Sequence, residues 1–168
     1  MRMLVAFLAA DSELLESHVL NKAAAWAAGG DNPMIHAEIL FVDRETEDGF
    51  VGRSCSIHYG GKVFFQQKKF SRNQWRFRSV NTSDTQLQAA LQFCQDHVGE
   101  PFNKIGFYMQ PFTGKRLAQK SWFCSEIVAG ALNAAGFNIE PSLHPQTLFE
   151  TIAERTTPDC PRSLEMKF

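Results

Sequence analysis

No apolar run in this chain approaches the about 20 residues that a bilayer-spanning helix requires. The one amino-terminal candidate, Met3 to Ala10, follows Arg2 as the core of a secretion signal would. Asp11 and Glu13 come directly after it, with no small-x-small cleavage pattern, so the run reads as a first β-strand. Excess charge is missing too: 17 Lys and Arg face 18 Asp and Glu, a net charge of −1. That excludes a function resting on bulk attraction to nucleic acid or to an anionic surface. The four cysteines, Cys55, Cys94, Cys124 and Cys160, have no C-x-x-C spacing. His18, His97 and His144 lack acidic or cysteine partners at ligand spacing, so no zinc pattern emerges. Gly60-Gly61-Lys62 suits a hairpin rather than the strand-to-helix turn of a phosphate loop. Repeats and low-complexity linkers are absent. No metal or cofactor is expected. A chain of 168 residues can bury a core without disulfide staples, so free thiols in a reducing, cytoplasmic setting follow.

What the chain does have is one domain's worth of patterned sequence, residues 1–168, with an irregular tail over 156–168 marked by Pro158 and Pro161. Fifteen phenylalanines predict an aromatic-rich core and groove. Asp11 or Ser12 can cap a helix through Leu14, Leu15, Val19 and Trp26 that stops at Gly29-Gly30, and Asp31-Asn32-Pro33 makes a turn. From Ile35 to Val42, Ile35, Ala37, Ile39 and Phe41 share one strand face; His36, Glu38, Leu40 and Val42 share the other. A charged loop, Arg44 to Gly49, leads to a strand from Arg53 to Tyr59 with Ser54, Ser56 and His58 on one face. Gly60-Gly61 turns into a strand over Val63 to Gln67, and Gln74 to Val80 alternates as another. Helical patterning follows: Ser83 or Asp84 to Val98, a shorter segment from Phe102 to about Gln110, a basic loop from Thr113 to Lys120, then a helix from Cys124 to Gly136. His144-Pro145 opens a last helix through Leu148 and Ile152. Strands followed by helices give an α+β domain, an antiparallel sheet packed against helices.

The most chemically pointed stretch is Trp122-Phe123-Cys124-Ser125-Glu126. A cysteine in the first turn of a helix meets unpaired N–H groups and the positive end of the dipole, which favour a thiolate. Ser125 and Glu126, polar residues of the same turn, suggest a helix end that is not wholly buried. Cys124 is equally readable as a small buried hydrophobe, the commoner fate of a cysteine. His36 can act as a base, or be a hydrogen-bonded core histidine. Glu38, two residues on, can orient the ring or be a solvated strand residue. Cys94 falls on an apolar helix stripe, Cys160 in the tail, and Cys55 points away from Ser54 and Ser56. Lys68, Lys69, Arg72, Arg76 and Arg78, interleaved with Phe70, Trp75 and Phe77, resemble a single-strand grip. They suit the charged outer face of an edge strand better, and no nucleic-acid partner is expected.

Taken together, Pro33-Met34-Ile35-His36-Ala37-Glu38-Ile39, Ser54-Cys55-Ser56 before Gly60-Gly61-Lys62-Val63-Phe64-Phe65, Gly99-Glu100-Pro101-Phe102 and Trp122-Phe123-Cys124-Ser125-Glu126-Ile127-Val128 resemble a known family. It is the circularly permuted papain-like cysteine hydrolases, the YiiX-like members of the NlpC superfamily, related in fold to lecithin retinol acyltransferase. The likeness runs from Met3 to about Ile152. It implies a permuted papain-like fold, Cys124 as nucleophile at a helix N-terminus, His36 as general base, and a third polar residue on the strand beside His36. Ser54 matches that third position by its distance to the Gly60-Gly61 turn, where many relatives carry glutamate or histidine; Glu38 can share the role. Ser56, Trp122, Phe123 and Ser125 flank the pair as candidate substrate contacts. Phe102 stands where relatives often have tyrosine. The implied activity is hydrolysis of an amide or ester, as in a thiol peptidase or amidase, on a small-molecule, peptide or lipid-like substrate. Acyl transfer, or a catalytically silent binding domain on the same framework, are the alternatives.

Overall fold

The computed structural model describes residues 1–11, 32–103, 122–141 and 144–155, and all that follows concerns these. The helix expected after Asp11, most of the segment from Phe102 to Gln110, the basic loop, His18 and the tail with Cys160 lie outside the described residues.

Five strands form one sheet in the order β4-β3-β2-β1-β5, every neighbouring pair antiparallel. They are β1 (Arg2–Ala9), β2 (Met34–Thr46), β3 (Gly49–Ser56), β4 (Phe64–Ser71) and β5 (Trp75–Val80). Three helices follow: α1 (Asp84–Asp96), α2 (Cys124–Ala134) and α3 (Pro145–Arg155). No described helix is long and apolar enough to cross a membrane.

The unbroken apolar run of β1 is explained by burial on both sides. Met3, Val5 and Phe7 join the core beneath the helices, while Leu4, Ala6 and Leu8 join a second cluster with Leu40, Val42, Phe50, Phe70 and Trp75. Neither face of the strand meets water, so alternation would cost burial rather than gain solubility.

Two boundaries differ from the sequence reading. The charged stretch Arg44 to Gly49 is not a loop: β2 runs on to Thr46 and β3 starts at Gly49, making a long hairpin with Arg44 opposite Val51. Its charges are cross-linked rather than merely solvated. Arg2 and Arg72 both pair with Glu45, and Arg72 also donates to the carbonyls of Thr46 and Glu47. In turn, β3 ends at Ser56 rather than Tyr59, and β4 extends past Gln67 to Ser71. Gly60 takes φ +69°, the left-handed region that glycine occupies without penalty.

Helix ends follow local chemistry. The Ser83 hydroxyl accepts from Gln86 N–H at 3.3 Å and the Ser83 N–H donates to Gln86 Oε1 at 3.0 Å, a reciprocal cap for α1. α2 closes at Gly136, φ +87°, with Phe137 N–H donating to the Leu132 carbonyl and Gly136 N–H to that of Asn133. α2 buries Ile127, Val128, Ala131 and Leu132 and lies over β2 and β3. Gly130 lets α1 approach, since a Cβ there would fall 2.5 Å from Phe93 Cζ.

Candidate active site

β2 is the central strand of the sheet, and its alternation brings His36 and Glu38 to the same face. The start of β2 is held from outside the sheet: Met34 N–H donates to Gln146 Oε1 of α3 at 2.8 Å. The imidazole is therefore carried on backbone paired to β1, where His36 sits opposite Leu8.

Cys124 reaches the site by a different route. Gly61 accepts from Phe102 N–H at 3.0 Å, and Val63 exchanges bonds with Glu100 and Gly99. Asn103 N–H donates to the Trp122 carbonyl at 3.1 Å and Trp122 N–H to that of Pro101 at 3.1 Å. These links tie the β3–β4 turn to the residue two before Cys124. Phe123 is extended at φ −98° and ψ 162°, and its N–H donates to Glu126 Oε2 at 3.0 Å. A carboxylate thus caps the helix whose first residue is Cys124.

The sequence reading put Ser125 and Glu126 at a partly exposed end. Both are buried, and Glu126 is spent on the cap. Cys124 itself is half-buried and not disulfide-bonded.

The two routes meet at the ring. Cys124 and Glu38 both hydrogen-bond to His36, and His36 Nε2 lies 3.3 Å from Glu38 Oε1. Burial by itself would push the imidazole down. The bonds to Cys124 and Glu38, and then the negative charge of each, outweigh it and raise His36 to about 9. Glu38 is 0 % exposed, and burial would push its carboxyl up. The bond to His36, the charges of His36 and Lys68 and the bond to Lys68 instead hold it down at about 2. The side chain of His36 keeps 13 % of its surface open. One face of the ring is covered by exposed His58, stacked at 5.3 Å between centroids, and Trp75 meets it edge-on at 6.2 Å. Burial and the neighbouring positive charges of His36 and Lys68 lower His58, against the pull of Glu38.

Of the expected site residues, Cys124, His36 and Glu38 come together. Ser54 does not join them: it is buried, and its hydroxyl has no hydrogen-bond partner among the described residues. The ring's partner is the carboxylate on its own strand, because positions two apart on β2 project to one side. The four expected substrate contacts are all buried. Ser56 donates to the Ala37 carbonyl at 2.5 Å, Ser125 lies within the helix packing, Trp122 packs on Phe93 and His97, and Phe123 sets its ring against Phe102. Trp122 also donates through its indole to Glu100. These four side chains hold the frame around the pair and offer little surface to a substrate.

Lys68 was missed as a site residue, whereas His58 lies on the strand face read for Ser54 and Ser56. Lys68 Nζ donates to Glu38 Oε1 at 2.6 Å. A usable signal existed: on that face of β3 the residues are Gly52, Ser54 and Ser56, small enough for a long side chain from β4 to lie across them. The other basic residues weighed as a nucleic-acid grip are partly absorbed elsewhere, Arg72 by Glu45 and Arg78 by the Phe149 carbonyl and ring.

These shifts fix a pH dependence. His36 binds its proton more tightly folded than unfolded, so its contribution is complete below about 6.5 and is lost as pH rises from there through about 9. Glu38 contributes above about 4.5 and loses that as pH falls through about 2. The difference in melting temperature between the native chain and His36→Gln should be largest near pH 6 and shrink towards pH 9. A constant difference across that window would contradict it.

No protein-family model, curated protein or solved structure matches this chain.

Proposed function

We propose that the protein is a cysteine-dependent hydrolase of amide or ester bonds, built on a permuted papain-like, NlpC-type framework. The observation that carries the reading is the convergence on His36: a cysteine from the first turn of α2 on one side, a buried carboxylate on the other. With Glu38 opposite Nε2, Nδ1 is the ring nitrogen left for the sulfur. A ring raised to about 9 is imidazolium at neutral pH, with the Glu38 carboxylate beside it as an anion. That is the charge state a thiolate–imidazolium nucleophile needs.

In the proposed cycle the Cys124 sulfur attacks the substrate carbonyl, and the oxyanion is received by the Cys124 N–H, unpaired at a helix start. The C–N or C–O bond breaks as His36 gives its proton to the departing amine or alcohol. Water then attacks the thioester and His36 takes the water's proton. The carboxylic acid leaves and the sulfur is regenerated. Glu38 aligns the ring throughout and offsets its positive charge.

The test is to incubate the protein with a panel of activated esters, thioesters and amides, quench in acid and locate the acyl group by mass spectrometry. Acylation at Cys124 is expected, with buried Cys55 and Cys94 unmodified. Acyl groups on another residue, or on none across the panel, would overturn the reading.

A further inference from the structure

Lys68 is the one cation at hydrogen-bonding distance from Glu38 among the described residues, apart from the ring of His36. Both use the same oxygen: Oε1 receives Lys68 Nζ at 2.6 Å and faces His36 Nε2 at 3.3 Å, while Oε2 has no hydrogen-bond partner among the described residues. The ammonium is itself held in place. Its nitrogen stands 5.2 Å from the ring centres of Phe64 and Phe70 and 5.5 Å from that of Trp75, so three aromatic faces surround a side chain that keeps 24 % of its surface open. Lys68 therefore has few other places to go. It selects which carboxylate oxygen meets the imidazole.

We infer that Lys68 is a positioning residue of the Cys124–His36 site, holding Glu38 as an oriented anion at the ring whether or not the ring is charged. This rests on the hydrolase reading. At the stage when His36 has surrendered its proton to the leaving group, a carboxylate at 0 % exposure would face a neutral ring. A buried anion without a counter-ion takes up a proton. Glu38 would then donate to the ring instead of accepting from it, and the next proton would have to come from elsewhere. Lys68 supplies a charge that the cycle does not consume. Among the described residues the other titratable groups around Glu38 are His36 on its own strand and His58 after β3, with Cys124 of α2 beyond the ring and Ala6 opposite Glu38 on β1, and none of them carries a permanent positive charge.

The experiment compares Lys68→Met, Lys68→Gln and Lys68→Arg in the full chain. The Glu38 carboxyl is followed by carbon NMR titration, the His36 ring by proton NMR, and Cys124 acylation by a pH–rate profile. Lys68→Met and Lys68→Gln should move the Glu38 titration up by on the order of one pH unit, and the acid limb of the acylation profile with it. Lys68→Arg should restore both. If both neutral variants melt lower but leave the carboxyl titration and the acid limb at their native positions, Lys68 is only structural and the inference fails. The titration is read without substrate, so a chain that never acylates at Cys124 counts against the hydrolase reading alone.

Discussion

On the proposed mechanism Cys124→Ala should lower acyl turnover by on the order of 10⁴-fold or more, because a nucleophile, unlike a positioning group, has no stand-in among the described residues of the site. Cys55 and Cys94 are buried in the core beneath the helices and cannot take its place. The fold should barely notice. The sulfur is half-buried at a helix end whose cap is made by Glu126, so a stability change within about 1 kcal/mol is expected. The same substitution carries a signature that loss of folding could not imitate. Its bond and its charge are two of the four causes that raise His36, so the ring should titrate well below about 9 in Cys124→Ala, with Glu38 still lifting it. Proton NMR of the imidazole reads this directly. Unchanged turnover in the variant would end the hydrolase reading; an unchanged ring titration would mean that the sulfur and the ring do not interact in solution.

Glu38→Gln tests the opposite side of the ring. The glutamine keeps the shape and removes the charge, leaving Lys68 and His36 without their common anion. Breaking a fully buried pair costs about 3–5 kcal/mol. Here the loss should be smaller, on the order of 2 kcal/mol, because Lys68 keeps 24 % of its side-chain surface open and water can reach the uncompensated ammonium. For a domain of this size that is a fall of about 4–8 °C in melting temperature. The sign is secure from the carboxyl itself: held at about 2, it is the ionised form that the fold prefers, despite complete burial. The His36 titration should fall as well, and acylation of Cys124 should slow at neutral pH as the imidazolium fraction drops. Retention of the native melting temperature together with the native ring titration would show that the carboxylate does not act on the ring.

Much of the frame was legible in one dimension. The alternation around His36 placed Glu38 on the same face, and Ser83, Gly136 and Pro145 marked helix ends through chemistry that operates within a few residues. What failed were inferences about which partner a polar side chain finds. Arg44 to Gly49 read as a loop because charge and glycine suit one, yet Glu45 meets Arg2 and Arg72, residues 43 and 27 positions distant. Ser54 matched a third catalytic position by its distance to a turn, yet its buried hydroxyl has no hydrogen-bond partner among the described residues. Glu126 looked like surface and is a buried cap.

By itself, then, the sequence determined the period of each element, the residues sharing each strand face and the presence of a cysteine at a helix start, since all of these depend on neighbours within about four positions. Only the tertiary structure decided that Cys124 and His36, about half the chain apart, meet at one site, and that Lys68 reaches the Glu38 carboxylate. Those contacts arise from strand order and from how a helix lies on the sheet. A long side chain crossing a row of small residues leaves no periodic trace in the residues that make the contact.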